Sequence, residues 1–366
     1  MMRFGKPSIA INILLSYEDL LQSSTKCKRG VSWKSSTQLY YMKRLAWISR
    51  AKNSLDNGTY KPKKQYEFTI HERGKLRLIK ASHISDRVIQ KAFNEKILKP
   101  ALYPRLVYDN SASQKGKGTD FCLNRLKCHL QRHYRKYGNN GYALLIDFTN
   151  YFGNVDKSIL IEKVSHYITS DDLELFKTMQ NNGEGLGLGS EVNQTSAIFY
   201  ANDLDHFIKE KLRIKGYCRY MDDLILIHPD RKYLEYCLEE ITKICTALKI
   251  VVNPKKCKIV NLKTDCFTYL KKRIRLTNSG KVVMRPINAN IKARKRRIKR
   301  QKELLDAGKI TMDGIIQSYI SWRGYATKYD IKYNTLKDVD NLFKEKFGED
   351  ALNAVLVKFK KGQRHE

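Results

Sequence analysis

Three aspartates frame the chemistry this chain could carry. Asp222 and Asp223 sit side by side in "GYCRYMDDLILIHP" (216–229), inside an apolar, β-favouring run. Asp147 closes a second such run, "YALLIDF" (142–148). Carboxylates in half-buried strands are costly unless something compensates them. A bound cation is the compensation that suits a cluster of them. Hard divalent ions such as Mg²⁺ take carboxylate and carbonyl oxygens and keep several waters. Two such ions, roughly 3.5–4 Å apart, activate an attacking hydroxyl and stabilise a leaving oxygen. The residues therefore predict that Asp147 and Asp222 hold two Mg²⁺ ions, with Mn²⁺ as a substitute. The Phe148 carbonyl is an extra ligand and Asp223 an auxiliary or outer one. The plain alternative, a polar hairpin tip, loses weight because an acidic strand end precedes the pair in a very basic chain.

For these carboxylates to meet, the elements between them must bring them together. Residues 36–53 read as a helix with Leu39, Met42, Leu45 and Ile48 at helical spacing. "YEFTIHERGKLRLIKA" (66–81) reads as two strands with a turn around Gly74. A helical segment follows at 84–99, then a polar loop at 109–119, then a helix carrying Leu123, Leu126 and Leu130. Residues 157–181 look mostly helical, "GEGLGLGSE" (183–191) is a flexible loop, and the next helix carries Ile198, Ala201, Leu204 and Phe207. After the hairpin, Pro229-Asp230 signals a helix start. Leu234, Leu238, Ile241, Cys245 and Leu248 mark that helix's apolar face. "KIVVNP" reads as a strand stopped by Pro254. "CFTYL", "KRIRL" and "KVVMR" are short strands, the last two joined by "TNSG". The central order of strand, helices, hairpin, helix and strand is a split β-α-β pattern of the ferredoxin-like kind. In that topology the strand ending at Asp147 and the hairpin bearing Asp222 are neighbours.

Composition narrows the partners. The 366 residues carry a formal net charge of +33, which points to a polyanion, nucleic acid before anionic membrane. The run "KARKRRIKRQK" (292–302) concentrates that charge. No apolar run is long enough to span a bilayer and the N-terminus has no convincing signal peptide, so no membrane association is expected. The eight cysteines contain no C-x-x-C pair, which argues against zinc ribbons and fits reduced thiols in a cytoplasmic setting.

At this point a family comes into view. "YMDD" (220–223) resembles motif C of reverse transcriptases, and "LLIDFTNYFGNV" (144–155) resembles their motif A, an Asp followed five positions later by Phe or Tyr. "RLIKASHISDRVIQKAF" (77–93) is similar to the fingers motifs of bacterial members. "LGSEVNQ" (188–194) falls at the motif B loop, "NPKKCKIV" (253–260) at motif D and "YLKKRI" (269–274) at the primer-grip hairpin. "SYISWRGYA" (318–326) is similar to the thumb of bacterial retroelement enzymes. The resemblance implies an α+β right-hand polymerase with fingers, a ferredoxin-like palm and a helical thumb. It would extend a primer on an RNA template with dNTPs. It implies fingers and an N-terminal segment over 1–141, palm over 142–156, fingers and palm helices with motif B over 157–215, palm over 216–286, and thumb with a C-terminal helix over 287–366. Lys75 and Arg77 would contact the triphosphate, with Arg77 the better suited because a guanidinium matches phosphate geometry. Phe152 would exclude a ribose 2′-OH, and Gly189 and Gln194 would line the dNTP pocket. Lys256 would protonate or neutralise pyrophosphate, with Lys255 and Lys258 as competitors. Leu270 and Lys271 would grip the primer, and Arg294, Arg296, Arg297 and Arg300 would track the RNA–DNA duplex by its phosphates.

Two departures stand out. Many relatives place Gln before the motif B glycine, whereas this chain has Leu188. That pattern resembles diversity-generating retroelement and antiviral-defence enzymes, which implies a bacterial or phage setting. It also implies a cognate non-coding RNA or an accessory protein as partner, and low fidelity as a hypothesis. The primer-grip hairpin reads Leu270-Lys271 where a Leu-Gly pair is usual, and a Gly would allow closer backbone approach. The rival readings are a catalytically silent RNA-binding scaffold, template-independent DNA synthesis or RNA-templated RNA synthesis on the same fold, and a membrane-surface protein. Intact aspartates oppose the first, Phe152 opposes ribonucleotide use, and no segment pairs the basic charge with a strong apolar face for the last.

Overall fold

The computed structural model describes residues 15–72, 75–181 and 183–363. The fold is a mixture of helix and sheet, as expected. Two compact units divide it. Among the described residues the first draws on 15–126, 144–226 and 231–258, and the second on 127–143, 227–230 and 259–363.

In the first unit, β1 (Tyr66–Glu72) and β2 (Lys75–Ala81) pair antiparallel, with Glu72 opposite Lys75. The turn expected around Gly74 lies outside the described residues. The strands that matter for the aspartates are β3 (Tyr142–Asp147), β4 (Gly216–Tyr220), β5 (Asp223–His228) and β6 (Lys258–Asn261). Their order in the sheet is β4-β5-β3-β6, the ferredoxin-like order. Ala143 to Ile146 and Leu224 to Ile227 are all buried, which is why both strands read as continuous apolar runs instead of alternating ones. The helix Glu191–Tyr200 is buried along nearly its whole length, with Gln194 its exposed exception past the first residue.

Several elements differ from the sequence reading. The helix expected over 36–53 is two, Ser35–Met42 and Arg44–Asp56, broken at Lys43 where ψ rises to 30°. The break resets the helical phase, so Leu39, Met42 and Leu45 face solvent while Tyr40 and Ile48 turn inward. The stretch 84–99 continues through a π-helical turn at Asn94–Leu98 into Lys99–Leu102. Residues 157–181 hold two helices, Lys157–Ser165 and Ser170–Gln180, the second capped by Thr169. "KIVVNP" supplies only an isolated bridge from Val252 to Phe148, and the strand itself lies further on, at Lys258–Asn261. Val251 and Val252 mimic a strand, but Pro254 ends any ladder there because it has no N–H to donate.

The second unit carries β7 (Phe267–Tyr269), β8 (Lys272–Leu276) and β9 (Val282–Pro286), antiparallel in that order. Phe267, Tyr269, Ile274, Leu276, Val282 and Met284 are buried, and Arg273, Arg275 and Arg285 are exposed. Four helices follow: Asn288–Asp306, Met312–Lys328, Tyr333–Phe347 and Glu349–Gln363. Their core is Ile298, Ile315, Tyr319, Val339, Phe343 and Val355. The third of them turns Val339 and Phe343 inward. Among the described residues no helix is long and apolar enough to cross a membrane.

Candidate active site

β4 and β5 are joined by the two-residue turn Met221-Asp222, with Met221 at φ 54°. A non-glycine residue in that region costs roughly 1–2 kcal/mol, so something must hold the turn. Arg219 does. Its side chain is fully buried, and its guanidinium donates to the Met221 carbonyl at 3.1 Å and the Ile198 carbonyl at 2.7 Å. It also forks onto both oxygens of buried Asp205 at 2.7 Å each. Tyr217 and Asn110 donate to the same carboxylate at 2.6 and 3.2 Å. The hairpin is thereby anchored from below by a satisfied charge pair.

The turn meets the end of β3 through the backbone. The Phe148 N–H donates to the Asp222 carbonyl at 3.2 Å. On the other side, the Asn253 N–H reaches the Asp147 carbonyl and the Thr149 N–H reaches the Val251 carbonyl, both at 2.8 Å. In extended chain the N–H and C=O of one residue point to the same side, and neighbours alternate. The Phe148 carbonyl is therefore turned to the hairpin side, where the sequence reading places it as a ligand.

The three expected carboxylates act on one another, the charges of Asp222 and Asp147 both bearing on Asp223. Lys256 Nζ lies 2.8 Å from both oxygens of Asp147, and Asn253 Nδ2 lies 3.4 Å from one of them. Burial, then the charges of Asp222 and Asp147, push the Asp223 carboxyl up to about 7, against a smaller opposing pull from Lys256. The hydrogen bond to Asp147 holds the Lys256 ammonium above its ordinary value. In this arrangement Lys256 is a counter-charge and a weaker acid than a free lysine. The cluster thus holds more negative charge than its one ammonium offsets, and all its acidic donors are hard oxygens. That donor set fits a divalent cation such as Mg²⁺.

A stability prediction follows from Asp223. The folded chain binds this proton more tightly than the unfolded chain, where an aspartate releases it near 3.8. The stabilising linkage is complete below that value and is lost as pH rises through about 7. In metal-free protein with chelator, Asp223→Asn should gain on the wild type between pH 5 and pH 8, by on the order of 1–3 kcal/mol. Thermal melts across that range read the difference. A gap that does not change with pH would rule the linkage out.

The other expected residues fall as follows. Phe152 is half-buried five positions after Asp147, and its carbonyl accepts from the Leu186 N–H at 2.7 Å. A Cβ on Gly185 would meet the Gly153 carbonyl oxygen at 2.4 Å, so the glycine loop lies directly on the turn after Phe152. Further along, the Lys80 N–H donates to the Leu188 carbonyl at 3.2 Å. Gly189 has φ +124°, and a Cβ there would come within 3.1 Å of the Lys80 carbonyl. Gly189 is thus required by both its conformation and its neighbour. Gln194 is exposed, 3.5 Å from Ser113 Oγ. Lys75 and Arg77 lie in β2, opposite Glu72 and Ile70, but their side chains lie outside the described residues.

In the second unit, Leu270 and Lys271 form the β7–β8 turn with φ 44° and 61°. Positive φ at both central residues is the geometry of a tight hairpin turn, normally filled by Gly or Asn. Lys271 is exposed there, whereas neighbouring Lys272 is buried, its ammonium 3.4 Å from the ring centroids of Tyr325 and Tyr329. On the helix Asn288–Asp306, Arg296, Arg297 and Arg300 are exposed. Arg294, expected to join them, is buried. It donates to Ser318 Oγ at 3.1 Å, and its guanidinium lies over Tyr319 and Trp322. Ile291, Arg294, Ile298, Gln301 and Leu305 follow the inward-facing 3.6 repeat, which a count of basic residues does not register.

Sequence reasoning passed over Arg219 and Asp205, and saw Asn193 only as a motif B position. Asn193 is buried and fastens the glycine loop by donating to the Gly187 carbonyl at 2.9 Å, while accepting from Gln180 at 3.2 Å. Arg219 was findable: a charge in an apolar strand is as anomalous as the aspartates beside it.

The sequence profile of the family "Reverse transcriptase (RNA-dependent DNA polymerase)" matches residues 61–274, more than half of the chain. No curated protein matches. Among solved structures, the chain is similar to telomerase from Candida albicans in complex with a fragment of telomeric RNA. The identity is 12% and the TM-score 0.48, with 86% of this chain and 67% of that one covered. It is also similar to apo telomerase from Candida tropicalis truncated from the C-terminal domain. There the identity is 14% and the TM-score 0.48, with 60% of this chain and 55% of that one covered.

Proposed function

This chain belongs to the reverse transcriptase (RNA-dependent DNA polymerase) family, and from that premise we propose that it extends a primer on an RNA template by adding dNTPs at the Asp147–Asp222–Asp223 cluster. The observation that carries the reading is the backbone link from Phe148 to Asp222, which joins the two acidic strand ends within one sheet. Polymerases of this family use divalent metal ions. We assign two Mg²⁺ ions to Asp147, Asp222 and the Phe148 carbonyl, with Asp223 as the outer carboxylate. Bound there, the metal would lower the pKa of the primer 3′-OH and stabilise the departing pyrophosphate.

The chain's own residues prepare that step. Arg219 fixes the turn on which Asp222 stands. Lys256 neutralises Asp147 and would be the ammonium nearest the cluster for a phosphate to meet. Lys75, Arg77, Gly189 and Gln194 surround the dNTP, Leu270 and Lys271 hold the primer end, and Arg296, Arg297 and Arg300 run along the duplex backbone. In this reading residues 1–141 are the fingers, the β3–β6 sheet is the palm, and the helices from 287 onward are the thumb. Leu188 in the motif B position supports the reading of a bacterial or phage retroelement or antiviral-defence polymerase, working in the cytoplasm on a cognate RNA.

Primer extension with purified protein, an RNA template, dNTPs and Mg²⁺ tests the activity. Retained RNA binding without dNTP incorporation would favour the silent scaffold. Phe152 supplies a sharper outcome. It follows Asp147 by five positions and its backbone carbonyl holds the glycine loop through the Leu186 N–H, so Phe152→Ala should open room for a 2′-OH. Discrimination against rNTPs should fall by about 10–200-fold, the worth of a methylene-sized change in a pocket. Paired dNTP and rNTP kinetics read it, and unchanged discrimination would remove Phe152 as the gate. Sequencing nucleic acid that co-purifies with the protein would identify the template, the primer and the biological programme.

A further inference from the structure

Lys157 sits where its own helix disfavours it. It is the first residue of the helix Lys157–Ser165, and a cation at a helix start meets the positive end of the dipole. The backbone there is fixed. The Asp156 side chain accepts from the Ser158 and Ile159 N–H groups at 2.9 and 3.0 Å, and the Asp156 N–H donates to the Tyr200 hydroxyl at 3.3 Å. The Lys157 side chain is half-buried, and burial, then the Lys80 ammonium, hold its pKa below the ordinary lysine value. A lysine so placed keeps its position because of what it reaches.

Its ammonium donates to two backbone carbonyls, those of Gln180 and Gly183. Gln180 closes the helix Ser170–Gln180, whose last carbonyls lack partners within the helix and carry the negative end of its dipole. Gly183 opens the glycine loop. One side chain thus ties the end of that helix and the start of the loop to the segment that follows Asp147. The loop needs such a tie. Four of the seven residues 183–189 are glycines, and Gly183, Gly185 and Gly189 have positive φ. Such a chain has little conformational preference of its own. Further along, the Leu186 N–H meets the Phe152 carbonyl, Asn193 Nδ2 the Gly187 carbonyl and the Lys80 N–H the Leu188 carbonyl. Those contacts begin only at Leu186, and Lys157 holds the entry.

We propose that Lys157 is a positioning residue for the nucleotide pocket: it latches the glycine loop to the segment that follows Asp147, and thereby sets where Gly189 stands. It acts through backbone carbonyls and needs no contact with substrate. With the loop held, nucleotide binding does not have to order a glycine-rich segment, a cost that would otherwise fall on affinity. Removing the latch should therefore weaken nucleotide binding and leave the chemical step at Asp147 and Asp222 as it was. The hold on the loop stands on these hydrogen bonds alone. That the loop bounds a dNTP pocket rests on the polymerase reading.

Amide hydrogen exchange of the full-length chain without nucleotide, beside dNTP kinetics, tests it in Lys157→Met and Lys157→Arg. Methionine keeps an unbranched stem and takes a cation off the helix start, so the melting temperature should stay close to that of the wild type. Exchange at the Leu186 and Lys80 amides, which bond from and onto the loop, should rise about 10–100-fold in Lys157→Met, the worth of a hydrogen bond to a charged group. Exchange at Phe148, which bonds to Asp222 instead, should not move. KM for dNTP should rise about tenfold with kcat nearly unchanged, the signature of lost ground-state binding. Lys157→Arg keeps the charged donor and should restore most of both. Wild-type exchange at Leu186 and Lys80 in Lys157→Met would overturn the latch. Faster exchange with an unchanged KM would keep the latch and overturn its role at the pocket. A wild type that incorporates no dNTP would refute the polymerase reading, and the exchange comparison would still decide the latch.

Discussion

Asp147→Asn and Asp222→Asn chains should each lose primer extension by roughly 10³-fold or more while still binding RNA. The size follows from what the carboxylates do. Each supplies the charge that would hold a divalent ion where the new bond forms, and an amide cannot replace it. The change should leave folding intact. Phe148 and Asp222 stay linked through backbone atoms, and the substitution removes negative charge from a cluster that already pushes the Asp223 carboxyl up to about 7. In the Asp147 variant Lys256 loses its partner, but that lysine is about half exposed and water can solvate it. Extension assays beside RNA-binding titrations and thermal melts separate the effects. If either variant copies RNA at the wild-type rate, the cluster is not the catalytic centre and the silent-scaffold reading takes over.

How much of this could be read from residues alone depended on locality. Asp147, Asp222 and Asp223 were legible because each breaks a strong local pattern, a charge in an apolar strand. The sheet order followed from the alternation of strands and helices, since few connections satisfy the split β-α-β rule. Where the signal needed a phase or a register, the reading failed. Met42 and Leu45 sit at helical spacing, yet the break at Lys43 turns them outward. Arg294 belongs by composition to a basic run and by phase to the core. The Arg273–Arg285 pairing exists only once β8 and β9 are in register. The Leu270-Lys271 departure was visible as a missing glycine, but its cause, positive φ at both residues, was not.

The second large effect concerns Arg219. Arg219→Met should destabilise the fold by about 3–5 kcal/mol, because it strands the fully buried Asp205 carboxylate with only Tyr217 and Asn110 as donors. Arg219→Lys keeps the charge, but an ammonium cannot fork onto two Asp205 oxygens while also reaching the Met221 and Ile198 carbonyls. Stability alone would make Arg219 an ordinary core residue, so the discriminating variant is the double one, Arg219→Met/Asp205→Leu. Replacing a buried ion pair by apolar groups is often close to neutral, but Tyr217 and Asn110 lose their acceptor, so the melting temperature should recover only part of its loss. The Met221 carbonyl, however, remains without its guanidinium donor, and the turn that carries Asp222 loses the contact holding its strained φ. A displacement of about 1 Å at a reacting centre costs roughly 10²-fold. Extension at saturating dNTP should therefore stay about 10²-fold down in the double variant even though it folds, with RNA affinity unchanged. Recovery of both stability and rate would show that Arg219 serves the core only, and that the hairpin holds Asp222 in place without it.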